Sequence, residues 1–292
     1  NAVTQAHPEY LEQLRREYPF TLLQASGQDV GLPDGLMGNS EVGHLNIGAG
    51  RIVWQEITRI DRTIADGSFR SLPALRGAME HAKANGSTLH LMGLVSNGEV
   101  HSSDRHLHEL VRTAAEVGLT GDQLAIHAFT DGRDTAPRCA QDFLEALEEL
   151  CRETGCGRIA SVIGRYYGMD RDQRWERVRQ AYDCLTLGAG EQADSPAAAV
   201  AAAYERGEGD EFILPTVIGT PDRQRLQSGD AVFFFNYRAD RARQLSIALN
   251  DSGCDGFPRT SLPKLHYATM TRYREDFPYP VAFAPQTLEG TL

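Results

Sequence analysis

From about residue 72 to about residue 250, short apolar runs alternate with longer stretches of mixed apolar and polar residues. Four apolar runs predict strands: Thr88–Val95, Gln123–Phe129, Arg158–Ile163 and Ala231–Asn236. The mixed stretches predict helices over Leu72–Ala84, Asp104–Val117, Arg138–Cys151, Arg171–Leu187, Pro196–Arg206 and Asp240–Asn250. Asp, Ser or Pro often opens them and Gly follows several of their ends. Such alternation predicts an α/β domain with a mostly parallel sheet. In that architecture, ligand-binding groups collect on the loops beyond the carboxyl ends of the strands.

Each of the four strands runs into a polar loop. Val95 leads into SNGEVHS, with His101, and Phe129 leads into TDGRD, with Arg133 and Asp134. Ile163 leads into GRYYGMDR, with Arg165 and Arg171, and the last strand leads into NYRADR, with Arg238 and Arg241. Taken singly, each loop has an ordinary explanation as a turn or a surface ion pair. If the strands share one sheet, these seven side chains converge at one edge. Five arginines there would repel one another without an anionic ligand, and the arginine fork suits phosphate and carboxylate. The expected site takes a small molecule with two anionic groups, with His101 and Asp134 placed for proton transfer.

Upstream lies GLMGNSEVGH, Gly35 to His44, within a stretch holding six glycines between Gly31 and Gly50. The apolar residues Val42, Leu45 and Ile47 place Ser40 at the opening of a helix. Two readings stand open: Ser40 as helix cap in a glycine-rich turn, or Ser40 as a phosphate-bearing group at a helix N-terminus. The esterase elbow G-x-S-x-G is not present here.

Composition narrows the field. The 292 residues suffice for two domains, and 41% hydrophobic with 24% charged residues is ordinary for a globular protein. The net charge of −11 argues against nucleic acid or an anionic membrane surface as the main partner. No apolar run is long enough to span a membrane, and NAVTQAHPEYLEQL does not read as a secretory signal. The five cysteines are scattered and fit reduced structural thiols in a cytoplasmic protein. Of the 29 cations, 27 are arginine, a bias that a GC-rich genome produces without a functional reason. The chain opens on Asn rather than Met and stops at EGTL, so a piece of something longer is expected.

Together, MGNSEVGHLNIGAGR, DGRDT, GRYYGMDRDQRWERV, FFFNYRADRARQL and VAFAP resemble, in order, the cofactor-independent, metal-dependent phosphoglycerate mutases. The resemblance runs along nearly the whole chain. It implies interconversion of 3-phosphoglycerate and 2-phosphoglycerate in glycolysis and gluconeogenesis, without 2,3-bisphosphoglycerate, through a phosphoserine. It implies an alkaline-phosphatase-like domain with an inserted α/β transferase domain. Residues 1–55 and 286–292 would belong to the former, and residues 56–285 to the latter. It also implies two divalent cations, most often manganese. By motif, Ser40 is the nucleophile and a metal ligand, and Asp134 handles hydroxyl protons. His101, Arg133, Asp134, Arg165 and Arg171 would hold glycerate, with Arg238 and Arg241 clamping phosphate and carboxylate. A monomer is expected.

Two departures touch no reacting group: Leu36 stands where the family has glutamine, and Ala239 where it has proline. The family's Asp-Gly-Trp-Gly and Asp-His-Gly-Asn segments, which bring metal ligands, are absent from these 292 residues. The piece alone is therefore expected to be inactive. Two other functions stay open: a phosphatase- or sulfatase-like hydrolase, and an anion-binding domain without turnover.

Overall fold

The computed structural model describes residues 5–220 and 225–291. Two compact units emerge, one of the residues up to Thr58 with the stretch from Leu288, the other of Arg59–Thr287. The second unit is built on an eight-stranded sheet. Its strands are β1 (Leu89–Leu94), β2 (Gly121–Thr130), β3 (Cys156–Gly164) and β4 (Glu191–Ala193). They continue with β5 (Thr216–Ile218), β6 (Ala231–Phe234), β7 (His266–Thr271) and β8 (Val281–Phe283). The order is β4-β5-β3-β2-β1-β6-β7-β8, parallel throughout except where β3 meets β5.

The expected α/β class is the observed one. Strands β1 and β6 are buried along their whole length, as a sheet covered on both faces requires. Helices Trp175–Leu187 and Arg243–Asn250 cover one face, packing Val178, Tyr182, Leu185, Leu245 and Leu249 against Met92, Leu94, Phe129, Val232 and Phe234. Helices Pro73–Asn85, Asp104–Val117, Ala140–Thr154 and Pro196–Glu205 contact sheet strands and, in part, one another. All five cysteines are free thiols; burial pushes Cys151 and Cys184 up to about 12. Among the described residues, no helix is long and apolar enough to cross a membrane.

The sequence places the four central strands and six helices correctly but starts three helices too early. The predicted Arg138 start gives way to Ala140, because the buried Asp210 carboxylate accepts the N–H groups of Cys139 and Ala140. The predicted Arg171 start moves to Trp175, because Asp170 captures the N–H groups of Asp172 and Arg174. The predicted Asp240 start moves to Arg243, after a loop in which Tyr237 N–H donates to the His101 carbonyl. The sequence does not predict strands β4, β5, β7 and β8: β4, β5 and β8 have three residues each, and β7 interrupts its apolar residues with Thr269 and Thr271.

The first unit has a small core of Val30, Leu32 and Val42. Its glycines serve close approaches: a Cβ on Gly38 would lie 2.2 Å from the Ala25 carbonyl oxygen. Helix Ser40–Ala49 carries the serine at its first position.

Candidate active site: an arginine-lined anion site

The loops after β1, β2, β3 and β6 meet at the carboxyl edge of the sheet. Strand order reverses direction between β1 and β6, the switch point at which open α/β sheets bind ligands. There the loops are stitched together by backbone. Tyr237 N–H donates to the His101 carbonyl at 2.8 Å, and Leu94 N–H donates to Asn236 Oδ1 at 2.9 Å. Gly93 permits this approach, since a Cβ there would sit 2.6 Å from Asn236 Oδ1.

Asp131 organises the β2 loop. It is almost wholly buried, and its Oδ2 accepts from Ser96 Oγ at 2.6 Å. Its Oδ1 accepts the N–H groups of Arg133 and Asp134 at 3.2 and 2.9 Å. Arg165 enters from β3 with its side chain only 2% exposed, and its Nη1 bridges Asp131 Oδ1 and Asp134 Oδ2, each at 2.6 Å. Burial raises the Asp131 carboxyl, but Ser96, the Asp134 N–H and Arg165 together hold it below the usual carboxylate range.

His101 lies between two carboxylates, its Nε2 3.9 Å from Asp134 Oδ2 and its Nδ1 3.7 Å from Asp240 Oδ1. Burial, assisted by Arg165 and Arg238 against the pull of Asp240 and Asp134, lowers its pKa to about 4. At neutral pH it is an uncharged imidazole, which has one proton for two acidic neighbours. His101 Nδ1 and Asp240 Oδ1 are both buried without a hydrogen-bond partner. Both atoms therefore have hydrogen-bonding capacity left over, Asp240 Oδ1 keeping its ion pair with Arg238 Nε at 3.3 Å.

Asp240 also accepts from Arg171 Nη1 at 2.8 Å and lies 3.3 Å from Arg238 Nε. Burial raises this carboxyl, while Arg171, Arg238 and His101 outweigh it and keep it low. Arg241 donates to the Met169 carbonyl at 3.1 Å. Its guanidinium is held below its ordinary value by burial and by Arg165, Arg171 and Arg133. Arg133 lies 3.7 Å from Glu211 and is half exposed.

The structure thus gathers His101, Arg133, Asp134, Arg165, Arg171, Arg238 and Arg241 into one electrostatic neighbourhood. The expectation of mutually repelling arginines needs correction. Asp131, Asp134, Asp240 and Glu211 pair with Arg165, Arg171 and Arg133 and offset much of that charge, while Arg241 still feels its arginine neighbours. Sequence reasoning overlooked Asp131 and Asp240 as counter-charges, although each stands in a quoted motif, DGRD and RADR. Only the geometry shows which aspartate is buried against which arginine.

Ser40 belongs to the first unit. It is exposed, and the helix cap is Asn39, whose Oδ1 accepts Val42 N–H at 3.1 Å, rather than the serine. His44 Nδ1 lies 2.7 Å from the Ser40 carbonyl and 3.3 Å from Ser40 Oγ. A carbonyl only accepts, so Nδ1 carries the proton and His44 cannot act as base toward Ser40 in this arrangement. Ser40 therefore has the first helical position, with His44 Nδ1 beside it as a donor rather than an acceptor.

The sequence model described as BPG-independent PGAM N-terminus matches residues 60–275. The chain belongs to this family. It is 50% identical over 297 residues to 2,3-bisphosphoglycerate-independent phosphoglycerate mutase 2 of Methanosarcina acetivorans, covering 100% of this chain and 56% of that protein. The corresponding enzyme of Moorella thermoacetica is 51% identical over 295 residues, with 100% and 57% covered. Among solved structures, Leishmania mexicana phosphoglycerate mutase at low cobalt concentration is similar, with a TM-score of 0.82 and 32% identity. That likeness covers 97% of this chain and 54% of the other. The chain spans about half the length of the curated relatives it matches. The residues matched by the family include every member of the arginine site, whereas Ser40 lies before the matched span.

Proposed function

We propose that this chain is the substrate-holding part of a 2,3-bisphosphoglycerate-independent phosphoglycerate mutase. The observation that carries the reading is the convergence of five arginines, His101 and Asp134 at the switch point of the sheet. A phosphoglycerate carries a phosphate and a carboxylate, and two or more arginine forks match that pair bidentately. A hydrolase has no need of so many groups to retain the dephosphorylated alcohol.

In this reading the exposed Ser40 hydroxyl gives its proton to solvent as Oγ attacks phosphorus, the bond to one glycerate oxygen breaks with that oxygen taking up a proton, and phosphoserine forms while Arg133, Arg165 and Arg171 retain glycerate. The second glycerate oxygen then attacks the phosphoserine and restores Ser40. Arg238 and Arg241 clamp the anionic groups. His101, uncharged at neutral pH, and Asp134 pass the hydroxyl proton between the two glycerate oxygens. Residues 1–55 and 286–292 are assigned to the phosphatase domain and 56–285 to the transferase domain, in a monomeric cytoplasmic enzyme.

The relative from Leishmania was studied with cobalt, and two divalent cations, manganese first among them, are proposed for the complete enzyme. Among the described residues, no group of three or more His, Cys, Asp or Glu side chains is placed to hold a metal ion. The residues present therefore do not fit a two-metal site by themselves, and no step is routed through one. Ser40 is the single metal ligand proposed from this chain.

The test uses the full-length protein that contains these residues. Formation of 2-phosphoglycerate from 3-phosphoglycerate without added bisphosphoglycerate, abolished in Ser40→Ala, is expected. Release of inorganic phosphate alone would favour the hydrolase instead.

A further inference from the structure

Arg171 poses a positioning problem. Its side chain is 45% exposed, so packing does not fix it, and its Nη1 donates to Asp240 Oδ2 across the site. The loop that carries it, Asp170–Arg174, is tied to helix Arg243–Asn250 through one side chain. The amide of Gln244, a buried residue on helix Arg243–Asn250, donates from Nε2 to Asp170 Oδ2 at 2.8 Å. Its Oε1 accepts the N–H of Gln173 at 3.0 Å. The same Asp170 oxygen accepts the N–H groups of Asp172 and Arg174, each at 3.0 Å, and Arg177 lies 3.7 Å from the other oxygen.

The orientation of that amide is fixed by its partners. A carboxylate needs a donor and a backbone N–H needs an acceptor, so the reverse orientation would face oxygen with oxygen. Gln173 has φ +58, a left-handed conformation uncommon for a residue with a side chain. In that conformation its N–H is hydrogen-bonded to Gln244. On the other flank, Arg241 Nη1 donates to the carbonyl of Met169. Arg171 is thus bracketed on both sides by contacts from the segment that supplies Arg238, Asp240 and Arg241.

We propose that Gln244 is a positioning residue that sets the place of Arg171, locking the β3 loop and the β6 loop into one anion-holding body. Gln244 does not touch the ligand; it acts through the backbone of residues 170–174. The proposal rests on the phosphoglycerate reading of the site.

The experiment is calorimetric titration of 3-phosphoglycerate into the 292-residue chain as wild type, Gln244→Leu, Arg171→Ala and the double variant. Gln244→Leu is expected to weaken binding roughly tenfold, and by less than about twofold when Arg171 is already alanine. Equal losses in both backgrounds would overturn the proposal, because Gln244 would then act independently of Arg171. Gln173→Pro breaks the latch from an exposed position, removing the N–H and forbidding the left-handed φ. It should lose as much affinity as Gln244→Leu while still unfolding in one cooperative transition, whereas Gln173→Gly should bind like the wild type. Wild-type-like binding by Gln173→Pro overturns the latch but leaves the site reading standing. No binding by the wild-type chain overturns the site reading and the latch with it.

Discussion

The arginine site and the serine segment are built on opposite principles. At the sheet edge, charge is buried and balanced: Arg165 and Asp131 are each 2% exposed, and every loop is tied to another by backbone or carboxylate hydrogen bonds. Around Ser40 the surroundings are open, with Met37 at 83% and Ile47 at 65% exposure. The exposed large apolar side chains Tyr10, Tyr18, Phe20, Leu22 and Leu23 belong to that same unit. The difference teaches that the charged groups proposed to hold the substrate are fixed in place within Arg59–Thr287 by their own carboxylate and backbone partners. Ser40 has an N1 position and a proton-donating His44 beside it.

The largest break in this comparison is Arg165→Ala. It leaves Asp131 and Asp134 facing each other with their shared cation gone, and should cost about 3–5 kcal/mol of stability in urea denaturation. A loss below 1 kcal/mol would show the pair to be far more hydrated than its burial implies. Next comes Arg238→Lys in the full-length enzyme. Lysine keeps the charge but not the fork, so kcat/KM should fall by roughly tenfold or more; unchanged kinetics would remove Arg238 from the clamp.

Acid sharpens the contrast further. His101 is held down to about 4, against about 6.5 in an unfolded chain. The native state therefore binds fewer protons than the unfolded state between those values, and stability is lost as pH falls from about 6.5 toward 4. His90 and His127, lowered chiefly by burial, act with the same sign. The His101 ring resonances should stay those of a neutral imidazole down to about pH 5, and titration near 6.5 would contradict the buried geometry. The smallest effect is in the serine segment. Asn39→Ala should destabilise its helix by about 1 kcal/mol, as loss of a cap does. Ser40→Ala should have less effect, measured by amide exchange over residues 40–49.

Much of this was legible in the sequence, and for a physical reason. Buried parallel strands must be short apolar runs, and Thr88–Val95 or Ala231–Asn236 can hardly be read otherwise. The polar loops that follow them fall at one sheet edge by topology alone. What escaped depends on side chains capturing backbone groups, locally where Asp170 delays the helix at Trp175 and otherwise at long range. Asp210 holding back the helix at Ala140 is 70 residues away in sequence, and Gln244 reaching Gln173 is 71 residues away. No local pattern carries such pairings. The charge balance escaped for the same reason, since Asp131, Asp134 and Asp240 are chemically alike until the fold buries them differently.

The central claim is that recognition of the anionic substrate resides in residues 59–287. Backbone amide shifts of the 292-residue chain, followed by NMR as 3-phosphoglycerate is added, test it most directly. The account predicts saturable shifts centred on residues 96–103, 131–135, 165–174 and 236–241, unchanged by Ser40→Ala and lost in Arg238→Ala. Shifts centred on residues 35–50 instead, or binding abolished by Ser40→Ala, would contradict it.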